Sequence, residues 1–238
     1  METIELVVLG ASALPEILEI IFDINAESDA CVHYEVLAAL DDNPAFHHGS
    51  IEGVPIYGEL SRWQRFAQAK FVMGIGSYRS RLIRHEILKR LSIPRERFVT
   101  LVHPSAKVYR STSLGCGCII WAGAVLANNS RVDDFVIVLA NTVVGANNHI
   151  CEGAMLASLV VTTSHVTIGH YCHIGAATAI VENVKIGPGS QVVMGSLVAR
   201  DVPAGVICGG KPSRIVDDTV EVPQILMEAW AQIISASA

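Results

Sequence analysis

Aromatic residues are scarce in this 238-residue chain, at 6%, and charged residues reach only 17%. A core built on packed rings is therefore excluded, and the 51% hydrophobic content has to act through Val, Ile, Leu and Ala. There is no basic surplus. The net charge of −6 argues against nucleic acid or an anionic membrane surface as the main partner. No stretch of eighteen unbroken apolar residues is present, and residues 1–9 carry no basic start followed by an apolar signal, so no membrane span is expected. The six cysteines form no CxxC pair, which removes the usual redox and zinc-ribbon motifs. A reduced, cytoplasmic protein is the expectation.

What the chain does have is a repeat. From Val102 to Val198 an apolar residue returns at every sixth position, seventeen times without an insertion, and Thr162 is the one member that is not aliphatic. Four places later the residue is usually small, as at Ala106, Cys118, Ala124, Thr142, Ala154 and Ser190. A period of six matches neither a flat strand nor a helix, but it is the hexapeptide signature of a parallel β-helix. Three short strands make one coil, the aliphatic residue fills the bore, and coils stack about 4.8 Å apart. The expected organisation is an α/β domain over residues 1–101, a β-helix over 102–203, and an extension over 204–238 carrying a helix near residues 223–234.

The first hundred residues alternate strand-like and helical patterns. Apolar strands are expected at residues 4–9, 34–40 and 71–75, helical segments at 14–23, 60–69 and 80–91, and a fourth strand at 98–101. This order points to a small parallel sheet of Rossmann type. Such sheets bind ligands at the carboxyl ends of their strands. Gly10 permits a tight turn there, Ser12 can donate at the helix start, and Asp41 or Asp42 can accept from a base or ribose. Gly76 and Ser77 close the same crevice. The GxGxxG fingerprint is missing, so a shorter nucleotide-linked ligand fits better than a dinucleotide. The competing reading is a plain strand-loop-helix corner beside a solvated acidic turn.

The α/β domain, the junction from Val102 to Ala106 (VHPSA), the coil, and the exit from Arg200 to Gly205 followed by Gly209 to Arg214 together resemble a known family. These are the bacterial nucleotide-sugar acetyltransferases of left-handed β-helix fold, including those serving bacillosamine-type amino sugars and the sialic acid O-acetyltransferases. The resemblance covers roughly residues 5–216. It implies a homotrimer, acetyl-CoA as co-substrate in a cleft beside the coils, and a nucleotide-linked amino sugar held by the N-terminal domain. Carried over residue by residue, the nucleotide loop falls on Ser12, Ala13 and Leu14, the acidic pair on Asp41 and Asp42, and a following glycine on Gly76. The acetyl-CoA contacts fall on Met155, Ala176 and Met194, beside Ala177 and Gly195. Lys211 and Arg214 follow the last coil and can face the CoA phosphates.

One departure bears on mechanism. The family's histidine base and its acidic neighbour fall on Ala146 and Asn147, neither of which takes a proton at neutral pH. His165 lies 165 − 147 = 18 residues later, one full coil, and is expected to stack beside Asn147 at the same corner. His149 and His173 are outward strand positions, and His170 belongs to another edge. His165 is the candidate base, against the simpler reading of a surface or trimer-contact histidine. Asn147 and Asn148 are candidates to orient the substrate, and the Ser164 N–H to meet the thioester oxygen. A hydroxyl needs a base more than an amine does, so N-acetylation is favoured over O-acetylation. Two other readings stay open: a catalytically silent sugar-nucleotide-binding trimer, and a zinc hydratase using His149, His165 and His170. No metal is expected for the transfer itself. Outward Ile119, Val125, Ile137, Val143 and Met155 are expected to be covered by three-fold association.

Overall fold

A computed structural model describes residues 2–27, 31–76 and 81–236. The N-terminal domain holds a parallel sheet of β1 (Glu2–Leu9), β2 (Val32–Leu40) and β5 (Lys70–Met73), in the order β2-β1-β5. Leu6 to Leu9 are completely buried, as a central parallel strand covered on both sides requires. Helix α1 (Leu14–Ala26) carries Pro15 in its first turn, where the missing N–H is harmless, and buries Leu14, Ile17, Ile20 and Ile21. A small hairpin, β3 (Ser50–Ile51) with β4 (Val54–Pro55), fills the Gly/Pro-rich connection. Residues Leu60–Arg65 are a 3-10 turn, shorter than the helical segment expected there, and α2 covers Arg81–Leu91.

The fourth strand expected at residues 98–101 is reduced to one bridge, Phe71 to Phe98. Leu101 already pairs with Ile119, so the chain leaves the sheet for the coil at that point.

Seventeen two-residue strands, from Leu101–Val102 to Leu197–Val198, then build three parallel sheets. The first face carries Ile119, Ile137, Met155 and His173 outward, the second Val125, Val143, Val161 and Ala179, and the third Arg131, His149, Thr167 and Lys185. From Ile120 to Val198 the inward members of the hexads are buried in one continuous core, and Val102, Val108 and Leu114 below them are partly buried against it. Strand Ile207–Gly210 pairs with Gln191–Val192, so the first face runs on past residue 203. Helix α3 (Gln224–Ala236) shares a cavity with outward residues of the third face.

Each edge of the coil turns on residues with positive φ. They are Gly123, Asn141, Leu159, Ala177 and Gly195 between the first and second faces, and Asn129, Asn147, His165 and Asn183 between the second and third. Between the third and first faces they are Gly117, Phe135, Gly153, Tyr171 and Gly189. This last edge is welded to the N-terminal domain. Phe135 meets Phe98 edge-on at 4.8 Å, and Arg84, 2% exposed, donates to the Gly153 carbonyl beside the Tyr171 ring. Burial pushes the Arg84 guanidinium down to about 10.

The docking of the two domains corrects the expected trimer contacts. Ile119 and Ile137 are 3% and 6% exposed within the single chain, and with Met155 they face the chain's own N-terminal domain. The apolar face left open is the second one, where Val143 and Val161 are 36% and 42% exposed.

Candidate functional site

The carboxyl ends of β1 and β5 abut the outer wall of the first face and enclose a cavity of about 500 Å3. Ser12, Ala13, Glu16 and Gly74 to Gly76 line one side, and Ile119, Trp121, Ile137, Leu139 and Met155 the other. Gly10 shapes the mouth: at φ 106° it passes so close to β5 that a Cβ would stand 2.7 Å from Ile75. A Cβ at Gly76 would likewise meet Ile137 at 2.7 Å, so glycine lets the loop lie against the coil. Ser77 lies outside the described residues.

Several expected nucleotide contacts are redirected. Leu14 is fully buried in the core under α1 and faces no ligand. Both carboxylate oxygens of Asp41 are engaged by the backbone, accepting from the Ala11 N–H at 2.7 Å and the Asn43 N–H at 2.8 Å. Asp41 therefore fixes the loop that presents Ser12 and Ala13. Asp42 accepts from the Leu60 N–H at 3.0 Å and pairs with Arg90 at 2.5 Å, outside the cavity. The crevice is real, but its lining is mostly apolar, with Glu16 as its one ionisable side chain among the described residues. Trp121, Ile119 and Leu139 escaped the sequence reading. The signal was an 18-residue register, which groups positions 119, 137 and 155 on one face.

Met155 belongs to this cavity and so sits among the groups expected to hold the sugar. From Leu139 the same edge continues upward past Leu159, 57% exposed, to the turn at Ala176 and Ala177. Ala176 and Met194 stack one coil apart, as do Ala177 and Gly195, and the Gly195 N–H donates to the Ala176 carbonyl at 2.7 Å. A Cβ at Gly195 would meet nothing within 4 Å, and Met194 is 70% exposed. The result is an open ledge on the coils above Met155.

His165 and Asn147 do stack. Both have positive φ and exposed side chains on the edge between the second and third faces, and the His165 N–H donates to the Ala146 carbonyl at 3.1 Å. The Ser164 carbonyl accepts from the Asn183 N–H at 3.1 Å, while its own N–H has no partner among the described residues. His170 lies near the edge between the third and first faces, away from His165, so the three-histidine zinc arrangement does not form.

Asn148 is a correction. It is 2% exposed, and its amide donates to Thr162 Oγ1 at 2.5 Å and the Thr163 carbonyl at 2.9 Å while accepting from the Val166 N–H at 2.7 Å. Both amide hydrogens and the carbonyl oxygen are engaged inside the bore, and at 2% exposure it cannot orient a substrate. The same bond explains Thr162, the polar exception in the hexad frame. Each of the two is the other's buried partner.

No protein-family profile matches the chain. Its fold is the left-handed parallel β-helix preceded by an α/β domain. Perosamine N-acetyltransferase from Caulobacter crescentus, as a single-residue variant in complex with CoA and GDP-perosamine, is similar at TM-score 0.76 and 24% identity, over 90% of this chain and 97% of that one. The acetyltransferase domain of PglB from Neisseria gonorrhoeae is similar at TM-score 0.73 and 23% identity, over 89% and 98%. WeeI from Acinetobacter baumannii gives TM-score 0.72 and 19% identity, over 90% and 100%. In sequence, 91 residues are 35% identical to 2,3,4,5-tetrahydropyridine-2,6-dicarboxylate N-acetyltransferase of Staphylococcus aureus, and the match covers 37% of this chain and 38% of that protein's length.

Proposed function

We propose that the protein is an acetyl-CoA-dependent N-acetyltransferase acting on the amino group of a nucleotide-linked amino-deoxy sugar, in bacterial surface-glycan biosynthesis. The observation that carries the reading is the cavity where the sheet's carboxyl end meets the first face, with the ledge of Ala176, Ala177 and Gly195 on the coils above Met155. The crevice suits the nucleotide sugar, and the ledge lets a pantetheine arm lie against backbone. The CoA and GDP-perosamine held by the Caulobacter enzyme of similar fold support the same pairing of ligands. Because acetyl-CoA is an intracellular metabolite, the reaction belongs in the cytoplasm, and no described helix is long and apolar enough to cross a membrane.

The working unit in this reading is a homotrimer closed on the second face. That face is flanked by two edges, one bearing Ala177 and Gly195 and the other Asn147 and His165. In one chain these edges stand on opposite sides of Val143 and Val161. Three-fold closure on the exposed valines sets the His165 edge of one copy against the ledge of the next. His165 then acts as the base, Asn147 orients the amine, and the Ser164 N–H meets the thioester oxygen. A neutral amine attacks without prior proton removal, so the family base missing at Ala146 is compatible with N-acylation. Ala146 also favours a second reading, a silent trimer that binds the sugar nucleotide without turnover.

The test is a panel of UDP-, dTDP-, GDP- and CDP-linked amino sugars with acetyl-CoA. One member should stabilise the protein by about 2.7 kcal/mol at a hundredfold excess over its Kd and release CoA thiol on mixing. Stabilisation without thiol release selects the silent trimer. Neither response from any member overturns both.

A further inference from the structure

The third face holds a group of side chains that acetyl transfer does not use. Beneath α3 a second cavity, of about 510 Å3, is lined by Arg131, Asp133, His149, Glu152, His170 and Gln232. At its floor His149 Nε2 lies 2.8 Å from Asp133 Oδ2 and 4.0 Å from Cys151 Sγ, and the three atoms all fall within 4.8 Å of one another. Ligand pairs around a tetrahedral zinc, at ordinary Zn–O, Zn–N and Zn–S lengths, stand roughly 3.4–3.6 Å apart. Side-chain shifts of about an ångström bring this group to that spacing.

The local sequence makes the group unusual. Asp133 and Cys151 occupy the column of Gly115, Gly169 and Gly187, where chains pass so closely that a Cβ at Gly169 would stand 2.6 Å from Pro188 N. Asp133 comes from one coil and His149 with Cys151 from the next, so an ion held by all three would tie two coils together. The other Asp133 oxygen accepts from Arg131 Nε at 2.6 Å, which orients the carboxylate and leaves Oδ2 toward His149, the outer support that ligating carboxylates normally have. His170 lines the same cavity, and its buried Nδ1 has no hydrogen-bond partner among the described residues. Burial holds the Cys151 thiol well above its ordinary value, so metal entry has to release the thiol proton together with any proton held between His149 and Asp133.

We propose that Asp133, His149 and Cys151 form a binding site for a thiophilic divalent cation, zinc by ligand type, with its fourth position open to the cavity where His170 lies. A thiolate and an imidazole select zinc or cobalt over magnesium or calcium. The site is separate from both edges that flank the second face, so its role is to clamp the coil stack.

The experiment uses the whole chain, stripped by chelator and titrated with Co2+. A thiolate-to-cobalt absorption should grow and saturate at about one ion per chain, and Zn2+ should displace it. His149→Ala and Cys151→Ser should weaken binding at least tenfold and remove the rise in Tm that Zn2+ gives the wild type, while Cys31→Ser should keep both. No thiolate-to-cobalt absorption in the wild type, or unchanged affinity in His149→Ala, overturns the site. If Cys151→Ser fails to fold, the partly exposed His149→Ala decides alone.

Discussion

Along the edge between the third and first faces, glycine alternates with a ring: Gly117, Phe135, Gly153, Tyr171, Gly189. Along the edge between the first and second faces the same left-handed turn is made by Gly123, Asn141, Leu159, Ala177 and Gly195, and no aromatic side chain appears. The backbone demand is identical, but the surroundings are opposite. On the first edge each ring covers the glycine one coil below it: a Cβ at Gly117 would stand 2.6 Å from Phe135, and one at Gly153 would stand 2.3 Å from Tyr171. On the second, a Cβ at Gly123 would stand 2.4 Å from Asn141 Oδ1, but at the upper end one at Gly195 would meet open space. One edge is closed to anchor the N-terminal domain. The other turns small and bare at its upper end, above the exposed Leu159, where Ala177 and Gly195 leave the room a ligand needs.

This comparison can be broken by one substitution on each edge. Gly153→Ala and Gly195→Ala impose the same conformational penalty, about 1–2 kcal/mol for a Cβ in the left-handed region. Gly153→Ala also drives a methyl into the Tyr171 ring, and overpacking adds about 1–3 kcal/mol. Urea unfolding should therefore show Gly153→Ala losing about 3 kcal/mol or more, and Gly195→Ala about half of that. Gly195→Ala should in turn raise KM for acetyl-CoA, because its methyl stands on the ledge. Equal destabilisation of the two variants would mean that the edges do not differ as described.

The edge between the second and third faces supplies the next largest effect. If His165 is the base, His165→Ala should lower kcat by about 10²-fold, equivalent to about 2.7 kcal/mol, with little change in either KM. Ala146→His is the companion change and should raise activity only if that corner has room for an imidazole. A wild-type rate in His165→Ala would leave Asn147 and the Ser164 N–H as the catalytic groups of that edge.

Much of this architecture is legible in the hexad period, because bore-filling is enforced at every coil and leaves its mark at every sixth residue. Which outward residues meet the N-terminal domain is not, since the period treats three faces alike. Ile119 and Ile137 read as trimer contacts for that reason, although Phe98, Phe135 and Arg84 weld their own domain over that side. Asn148 was legible and misread. It stands four places after Val144, in the column of small inward residues with Thr142 and Ala154. A polar residue there, together with Thr162, signals a buried pair. Asn148→Ala leaves Thr162 Oγ1, the Thr163 carbonyl and the Val166 N–H short of a partner and should cost about 2 kcal/mol. The double change Asn148→Ala with Thr162→Val should cost less than the sum of the two single changes. Additivity in that cycle would show that the two side chains do not depend on each other.

The smallest effect separates the two neighbouring acids at the end of β2. Asp42 makes an ion pair whose side chains are 43% and 58% exposed, and such pairs contribute only about 0.2–1 kcal/mol. Asp42→Ala should cost about 1 kcal/mol, because it also takes the acceptor from the backbone N–H of Leu60, a residue only 1% exposed. It should leave KM for the sugar nucleotide unchanged, since Asp42 faces Arg90 and not the cavity. Asp41→Ala removes both backbone bonds that hold the Ala11 loop. Its effect should appear as a higher KM for the nucleotide sugar, with KM for acetyl-CoA unaltered, because the ledge at Gly195 rests on a different part of the chain. Asp41→Asn keeps one of the two acceptors and turns an amide NH2 toward the other backbone N–H, so it should recover only part of that loss. A rise in KM for Asp42→Ala equal to that for Asp41→Ala would return both acids to the ligand and withdraw the loop-fixing role assigned to Asp41.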